Sequence, residues 1–316
     1  MEFRINNTHS INETLKKLSS GDTLFLEKGI YKEKIEVLID NITIIGEDRE
    51  NTIIENHDWF HKVMKDYQEC NTFRTFTLYI GSNNVNLKNL TVKNTCTPSS
   101  KYGQAVSLHV DGNNFKCTDC NILGAQDTLF TGPLPKDLIK RHEGFLKDYF
   151  RKDTPSFQYY KNCKIEGDTD FIFGSAQAIF YNCTIVSIGS NKVFGDTKGY
   201  IAAPSHDKDM KFGYLFYKCN LIKDETLDSK VFLARPWRDY GEVAFIECNI
   251  GDHINPLGFN KWNNTNRDKT ARFYEYSQNI DLSKRESWTH ELNKDQANQY
   301  VKDYLKEYNI NKNIFE

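Results

Sequence analysis

The sequence is poor in residues that interrupt regular structure. It has 7 prolines and 18 glycines in 316 residues, which excludes a collagen-like or low-complexity chain. Neither charge dominates: 41 basic and 43 acidic residues leave a net charge of −2, with no single-sign run long enough to serve as a nucleic-acid tail. No nucleic-acid partner is expected. Long apolar runs are also missing. The longest uncharged stretch, Phe171 to Asn191, is interrupted by Ser175, Gln177, Asn182, Thr184, Ser187 and Ser190, whereas a membrane helix needs about 20 mostly apolar residues. No membrane span is expected. The first residues, Met1-Glu-Phe-Arg-Ile-Asn-Asn-Thr-His, lack the apolar core and small-residue cleavage site of a secretory signal. The expected location is therefore cytoplasmic, unless this is a mature form trimmed of its leader. A Gly-x-Ser-x-Gly elbow is absent, which disfavours a serine esterase. Of the eight cysteines only Cys117 and Cys120 have metal-pair spacing, with no second pair or histidine partner nearby. No metal or other cofactor is implied. A chain this long can bury roughly three-quarters of its unfolded surface and needs no staple.

What is present is a repeat. The pattern apolar-x-x-Cys-x-apolar, often with Asn before the central residue, recurs at least seven times: Ile39/Ile42/Ile44, Leu87/Leu90/Val92, Cys117/Cys120/Ile122, Tyr160/Cys163/Ile165, Phe180/Cys183/Ile185, Phe216/Cys219/Leu221 and Phe245/Cys248/Ile250. Centre-to-centre steps after Leu90 are 30, 43, 20, 36 and 29 residues, so a short β unit alternates with loops of free length. That describes a solenoid. With period two, the central and plus-two residues share one strand face, which would stack Cys120, Cys163, Cys183, Cys219 and Cys248 inside a parallel β-helix as small free apolar residues. The ends read as caps. Ser10-Ile-Asn-Glu13 is a capping-box pattern opening a short helix with Ile11, Leu15 and Leu18, within a cap over residues 1–20. Ala297, Tyr300, Val301, Tyr304, Leu305 and Tyr308 recur at helical spacing after Asn293, predicting a helix over 293–308 that covers the last coils or one flank. No domain boundary lies between them, and the fold class is all-β, a single-domain β-helix.

The repeat also positions chemistry. Asp127 lies seven residues after Cys120, and Asp170 seven after Cys163. On adjacent coils the two carboxylates would stack roughly 5 Å apart. Such a pair titrates as a unit, one member a carboxylate and the other protonated, which is the division of labour between nucleophile and general acid. A solvated aspartate ladder is the structural alternative. Leu233-Ala-Arg235-Pro-Trp237 adds a cation that would hold Asp170 ionised and an indole face suited to a sugar ring, though the same turn could be only a packed corner. Gln104 and Gln126 offer amide donors that stabilise an oxyanion without neutralising the carboxylates. Gln126, next to Asp127, is the stronger candidate.

Five blocks then appear in one order: Gly29-Ile-Tyr31-Lys-Glu33, Gly103-Gln104-Ala-Val-Ser-Leu108, Gly124-Ala-Gln126-Asp127-Thr-Leu129, Asp170-Phe-Ile-Phe-Gly174 and Leu233-Ala-Arg235-Pro-Trp237. In these the sequence resembles the pectin methylesterases (pectinesterases), over roughly residues 20 to 292. The resemblance implies a right-handed parallel β-helix and removal of methyl esters from polygalacturonate. By it, Asp170 is the nucleophile and Asp127 the acid, then base. Gln126 with Gln104 binds the oxyanion, and Arg235 orients Asp170. Trp237, Phe173 and Tyr200 would line the sugar cleft. The partner implied is methyl-esterified galacturonate, as oligosaccharide or polymer. Gly199-Tyr-Ile-Ala-Ala-Pro204-Ser resembles the bacterial members.

The sequence departs from the family pattern in places. Ala234 replaces the usual Gly and Ser107 an Ala. Asp127 and Asp170 stand 43 residues apart, about twice the family's compact spacing, so residues 132–156 read as a polar surface insertion beside the catalytic coils. After Phe273-Tyr-Glu-Tyr276, Ser277-Gln-Asn replaces a Gly-rich run. A pectate lyase or polygalacturonase on the same scaffold is the competing enzyme class, weakened by the absence of any Asp-Asp dipeptide. A non-catalytic carbohydrate-binding solenoid is the non-enzymatic alternative.

Overall fold

The computed structural model describes residues 1–64, 68–141, 156–190 and 197–315. These form three parallel sheets of 11, 8 and 7 strands, and successive strands of the chain visit the sheets in turn. The result is a parallel β-helix. Among the described residues no helix is long and apolar enough to cross a membrane.

The repeat is legible in the coil interior. Cys117, Tyr160, Phe180, Phe216 and Phe245 are register partners along the 11-stranded sheet. The last four stack ring on ring, with centroids 4.8, 4.5 and 4.5 Å apart. Ile122, Ile165, Ile185, Leu221 and Ile250 align in the same way along the 8-stranded sheet. Each such buried side chain contributes about 1.5–3 kcal/mol, so the ladders form the main core. All eight cysteines are free and buried.

Two details of the repeat differ from the sequence reading. Central and plus-two residues do not share one strand. The residue before each central cysteine, namely Asp119, Asn162, Asn182, Lys218 or Glu247, has φ between 51° and 55°. This left-handed residue turns the chain, so the cysteine sits at a corner and the plus-two residue lies in the next sheet. Asn and Asp tolerate that conformation better than other non-glycine residues, which explains the asparagine in the pattern. Asn182 also donates to Asn162 at 2.7 Å, and Asn162 to Asp119 at 3.1 Å, tying the corners into a polar ladder. The second correction concerns Ile39/Ile42/Ile44. Ile44 pairs with Leu87, which pairs with Cys117, so this instance is displaced from the register of the others.

The N-terminal segment contributes a strand, Glu2–Ile5, and a helix, Ile11–Leu15. Ser10 accepts from the Glu13 N–H at 3.2 Å, but Glu13 does not close the box, since its carboxylate pairs with Lys16 at 2.6 Å. Glu33 from the next coil instead accepts from the Ile11 N–H and Ser10 Oγ, each at 2.8 Å, placing an anion at the helix N-terminus. At the other end Asn293 and Gln296 form a reciprocal capping box on the helix Lys294–Glu307. Ala297, Val301, Tyr304 and Leu305 pack with Ile179, Leu215, Ala244 and Ile246, so this helix covers a flank of the 11-stranded sheet. Of the expected insertion, Lys136–Arg141 is a helix, and residues 142–155 lie outside the described residues.

Candidate active site

The site is built on the 7-stranded sheet. Gln104, Gln126 and Thr169 are bridged in parallel register at the entrance to three successive strands, Leu108–Val110, Leu129–Thr131 and Thr169–Gly174. One residue further on stand Asp127 and Asp170, both left-handed, with φ of 63° and 48°. The Asp127 N–H donates to the Thr169 carbonyl at 3.0 Å. Because Leu129 pairs with Ile172, the two aspartates occupy equal positions on neighbouring coils. Asp170 carries one more irregularity. Thr169 pairs with Tyr200 but Ile172 with Ala202, so the strand bulges at Asp170-Phe171. Bulges re-aim a side chain, and here the aim is toward Arg235.

Arg235 enters after the strand Lys230–Ala234 and donates to both carboxylate oxygens of Asp170, Nε to Oδ1 at 2.8 Å and Nη2 to Oδ2 at 2.6 Å. Its guanidinium lies between two aromatic faces, 3.8 Å from the Tyr200 centroid and 3.9 Å from that of Trp262. Burial opposes its charge, but the Asp170 carboxylate together with Tyr200 and Asp127 outweighs that and raises its pKa. Both side chains are nearly buried, each about 10% exposed. Removing one partner would strand the other, a penalty of about 3–5 kcal/mol.

These groups face a cleft of about 630 Å³. Of the residues expected from sequence, Gln104, Gln126, Asp127, Asp170, Phe173, Arg235 and Trp237 line it together. Phe173 and Trp237 meet edge to face at 5.6 Å, giving an aromatic floor. Tyr200 is the exception. It is 3% exposed, stacks on Phe232 at 5.6 Å and lies behind Arg235, so it supports the arginine and does not line this cleft. The reason is the Asp170 bulge, which sets Tyr200 opposite Thr169.

Sequence reasoning missed Phe60, Phe73, Trp262, Arg141, Arg238 and Arg267, which also line the cleft. Most come from irregular segments outside the repeat. Arg238 alone adjoined a motif, one residue past Trp237. Among the described residues no group of three or more His, Cys, Asp or Glu is placed to hold a metal ion.

The family model described as Pectinesterase matches residues 5–134 and 152–308. The chain belongs to the pectinesterase family. The break in the match, 135–151, falls inside the 132–156 segment. Probable pectinesterase 8 of Arabidopsis thaliana is 28% identical over 287 residues, covering 87% of this chain and 65% of that protein. The chain spans about two thirds or less of the length of such curated pectinesterase relatives. Among solved structures, a pectin methylesterase from Erwinia chrysanthemi superposes with a TM-score of 0.75 at 22% identity, covering 94% of this chain and 92% of that one. A pectin methylesterase complexed with a hexasaccharide superposes with the same TM-score at 23% identity and the same coverage.

Proposed function

We propose that the chain is a carboxylic ester hydrolase that removes methyl esters from methylated galacturonate and releases methanol. The observation that carries this reading is the Asp170 carboxylate, fixed through both oxygens by Arg235 and placed one coil from Asp127 in a cleft lined by Gln104 and Gln126.

In this reading an Asp170 oxygen attacks the ester carbonyl carbon, and the amide donors of Gln126 and Gln104 stabilise the oxyanion that forms. As the intermediate collapses, the carbon–methoxy bond breaks and methoxide takes a proton from Asp127, leaving methanol and an acyl-enzyme anhydride. Asp127, now a carboxylate, removes a proton from water, whose oxygen attacks the substrate-derived acyl carbon. Asp170 departs as carboxylate, Asp127 is again protonated, and the product acid loses its proton to solvent. Phe173 and Trp237 supply apolar faces for a sugar ring. A cleft of this volume lies within the range of about 300–1,000 Å³ usual for ligand sites, and a related structure that holds a hexasaccharide supports an oligosaccharide as the occupant.

The eight free cysteines suit a reducing compartment. This supports a cytoplasmic location, and with it short galacturonate oligomers as the substrate. The test is to incubate the protein with methylated trigalacturonate and with highly methylated pectin, following methanol, chain length and unsaturated ends. Methanol release without chain shortening, with kcat/KM higher on the trimer, is expected. Cleavage or unsaturated ends without methanol would overturn the esterase reading, and preference for polymer would overturn the oligomer assignment.

A further inference from the structure

The cleft holds more positive charge than the reaction uses. Arg238, directly after Trp237, grips Asp137 with both nitrogens, Nε to Oδ1 at 3.0 Å and Nη2 to Oδ2 at 2.8 Å. Asp137 stands on the helix Lys136–Arg141, within the stretch that the family model leaves unmatched. It also faces Arg141 at 3.9 Å. All three side chains line the cleft that contains Asp127 and Asp170. The helix leaves the sheet after Leu129–Thr131, while Arg238 follows Lys230–Ala234, and the strands Thr169–Gly174 and Thr197–Pro204 lie between. One ion pair therefore straps two intervening coils along one wall of the cleft.

The chemistry of that strap matches the expected substrate. A carboxylate in an arginine fork, with a second guanidinium beside it, is the setting that a free uronate would seek. The Arg238 fork is steadied from behind, since its guanidinium lies 4.6 Å from the Trp237 ring centroid and Nη1 donates to the Trp237 carbonyl at 2.8 Å. Asp137 is held less firmly. Its side chain is 50% exposed, and an exposed ion pair adds little net stability, so another carboxylate can take its place.

We infer that Arg238, helped by Arg141, is a specificity-determining subsite for a free galacturonate carboxylate on a unit neighbouring the scissile ester, with Asp137 its built-in competitor. The inference rests on the proposed esterase reading. It makes partly de-esterified chains better substrates than fully methylated ones, with Asp137 tempering the preference.

Binding of unesterified trigalacturonate, measured by calorimetry, tests the subsite without needing turnover. Asp137→Asn should tighten binding and Arg238→Gln weaken it, each by roughly tenfold, the scale of one charge-assisted contact. Arg238→Lys, which keeps the charge but loses the fork, should fall between, and it carries the test if Arg238→Gln melts early. In parallel, the ratio of kcat/KM on partly methylated to fully methylated trigalacturonate should rise in Asp137→Asn and fall in Arg238→Gln. Equal Kd values in wild type and variants, or weaker binding in Asp137→Asn, would overturn the inference and leave the contact a structural strap. Absence of methanol release by the wild type would instead sink the esterase reading, with the Kd shifts still reporting on the subsite.

Discussion

Asp127 and Asp170 share a backbone conformation as well as a register position, with φ of 63° and 48° on neighbouring coils. A left-handed residue steps out of the strict alternation of a strand, which lets both side chains leave the strand entrance toward the cleft. Among the described residues it is Asp170 that the Arg235 fork holds, through both carboxylate oxygens. In the proposed reaction, that hold on Asp170 is what would set the nucleophile apart from the acid/base.

Substituting Arg235 tests that asymmetry. Arg235→Lys retains a cation but neither the bidentate contact nor the planar group that fits between Tyr200 and Trp262. We expect about a 10²-fold loss in kcat with a near-native melting temperature, the cost of a misplaced reacting group. Wild-type kcat in the lysine variant would show that charge alone suffices.

Gln126→Ala should lower kcat by about 10²- to 10³-fold with little change in KM, as loss of one oxyanion donor does. Steady-state kinetics on methylated trigalacturonate check it. A change confined to KM would make Gln126 a ground-state binding residue.

Stability should depend on pH through two buried groups behind the C-terminal helix. Burial pushes Glu242 up to about 8, outweighing Arg272 and the Tyr300 hydroxyl. Its folded-state pKa is thus raised, so the stability it contributes is complete below the ordinary glutamate range and is lost as pH rises toward 8. Burial pushes His206 down to about 4, so its contribution is present above the ordinary histidine range and is lost as pH falls toward 4. His206 accepts from the Glu242 N–H at 3.1 Å, an acceptor that protonation removes. Melting temperature should fall from pH 5 to pH 8.5 less in Glu242→Gln than in wild type. Parallel curves would contradict the assignment.

The cysteines should be unreactive in the native protein because all eight are buried away from reagent, and burial also pushes the thiols of Cys70 and Cys96 up to about 11 and 12. Thiol titration should find none before denaturation and eight after it. Fewer than eight in the denatured protein, restored by reductant, would mean disulfides.

The centre of the site was legible because coil repetition converts sequence offsets into spatial register. The common seven-residue step from Cys120 to Asp127 and from Cys163 to Asp170 is enough to stack the aspartates. The corner turns were half visible. Asn162 and Asn182 signal a left-handed residue, but Lys218 and Glu247 adopt the same φ without advertising it, so the repeat read as one strand where there are two. Tyr200 was misplaced because nothing in its neighbourhood announces the bulge at Asp170. Trp262, Phe73 and the Asp137–Arg238 pair lay beyond reach for a different reason. They come from segments that follow no repeat, and Asp137 and Arg238 are 101 residues apart.

The most direct test of the central claim is methanol release by Asp170→Asn on methylated trigalacturonate, beside a circular dichroism spectrum of the same sample. An amide cannot form the acyl intermediate, so kcat should fall by at least about 10³-fold while the β spectrum is unchanged. A folded variant that releases methanol within tenfold of the wild-type rate would contradict the assignment of Asp170 as nucleophile.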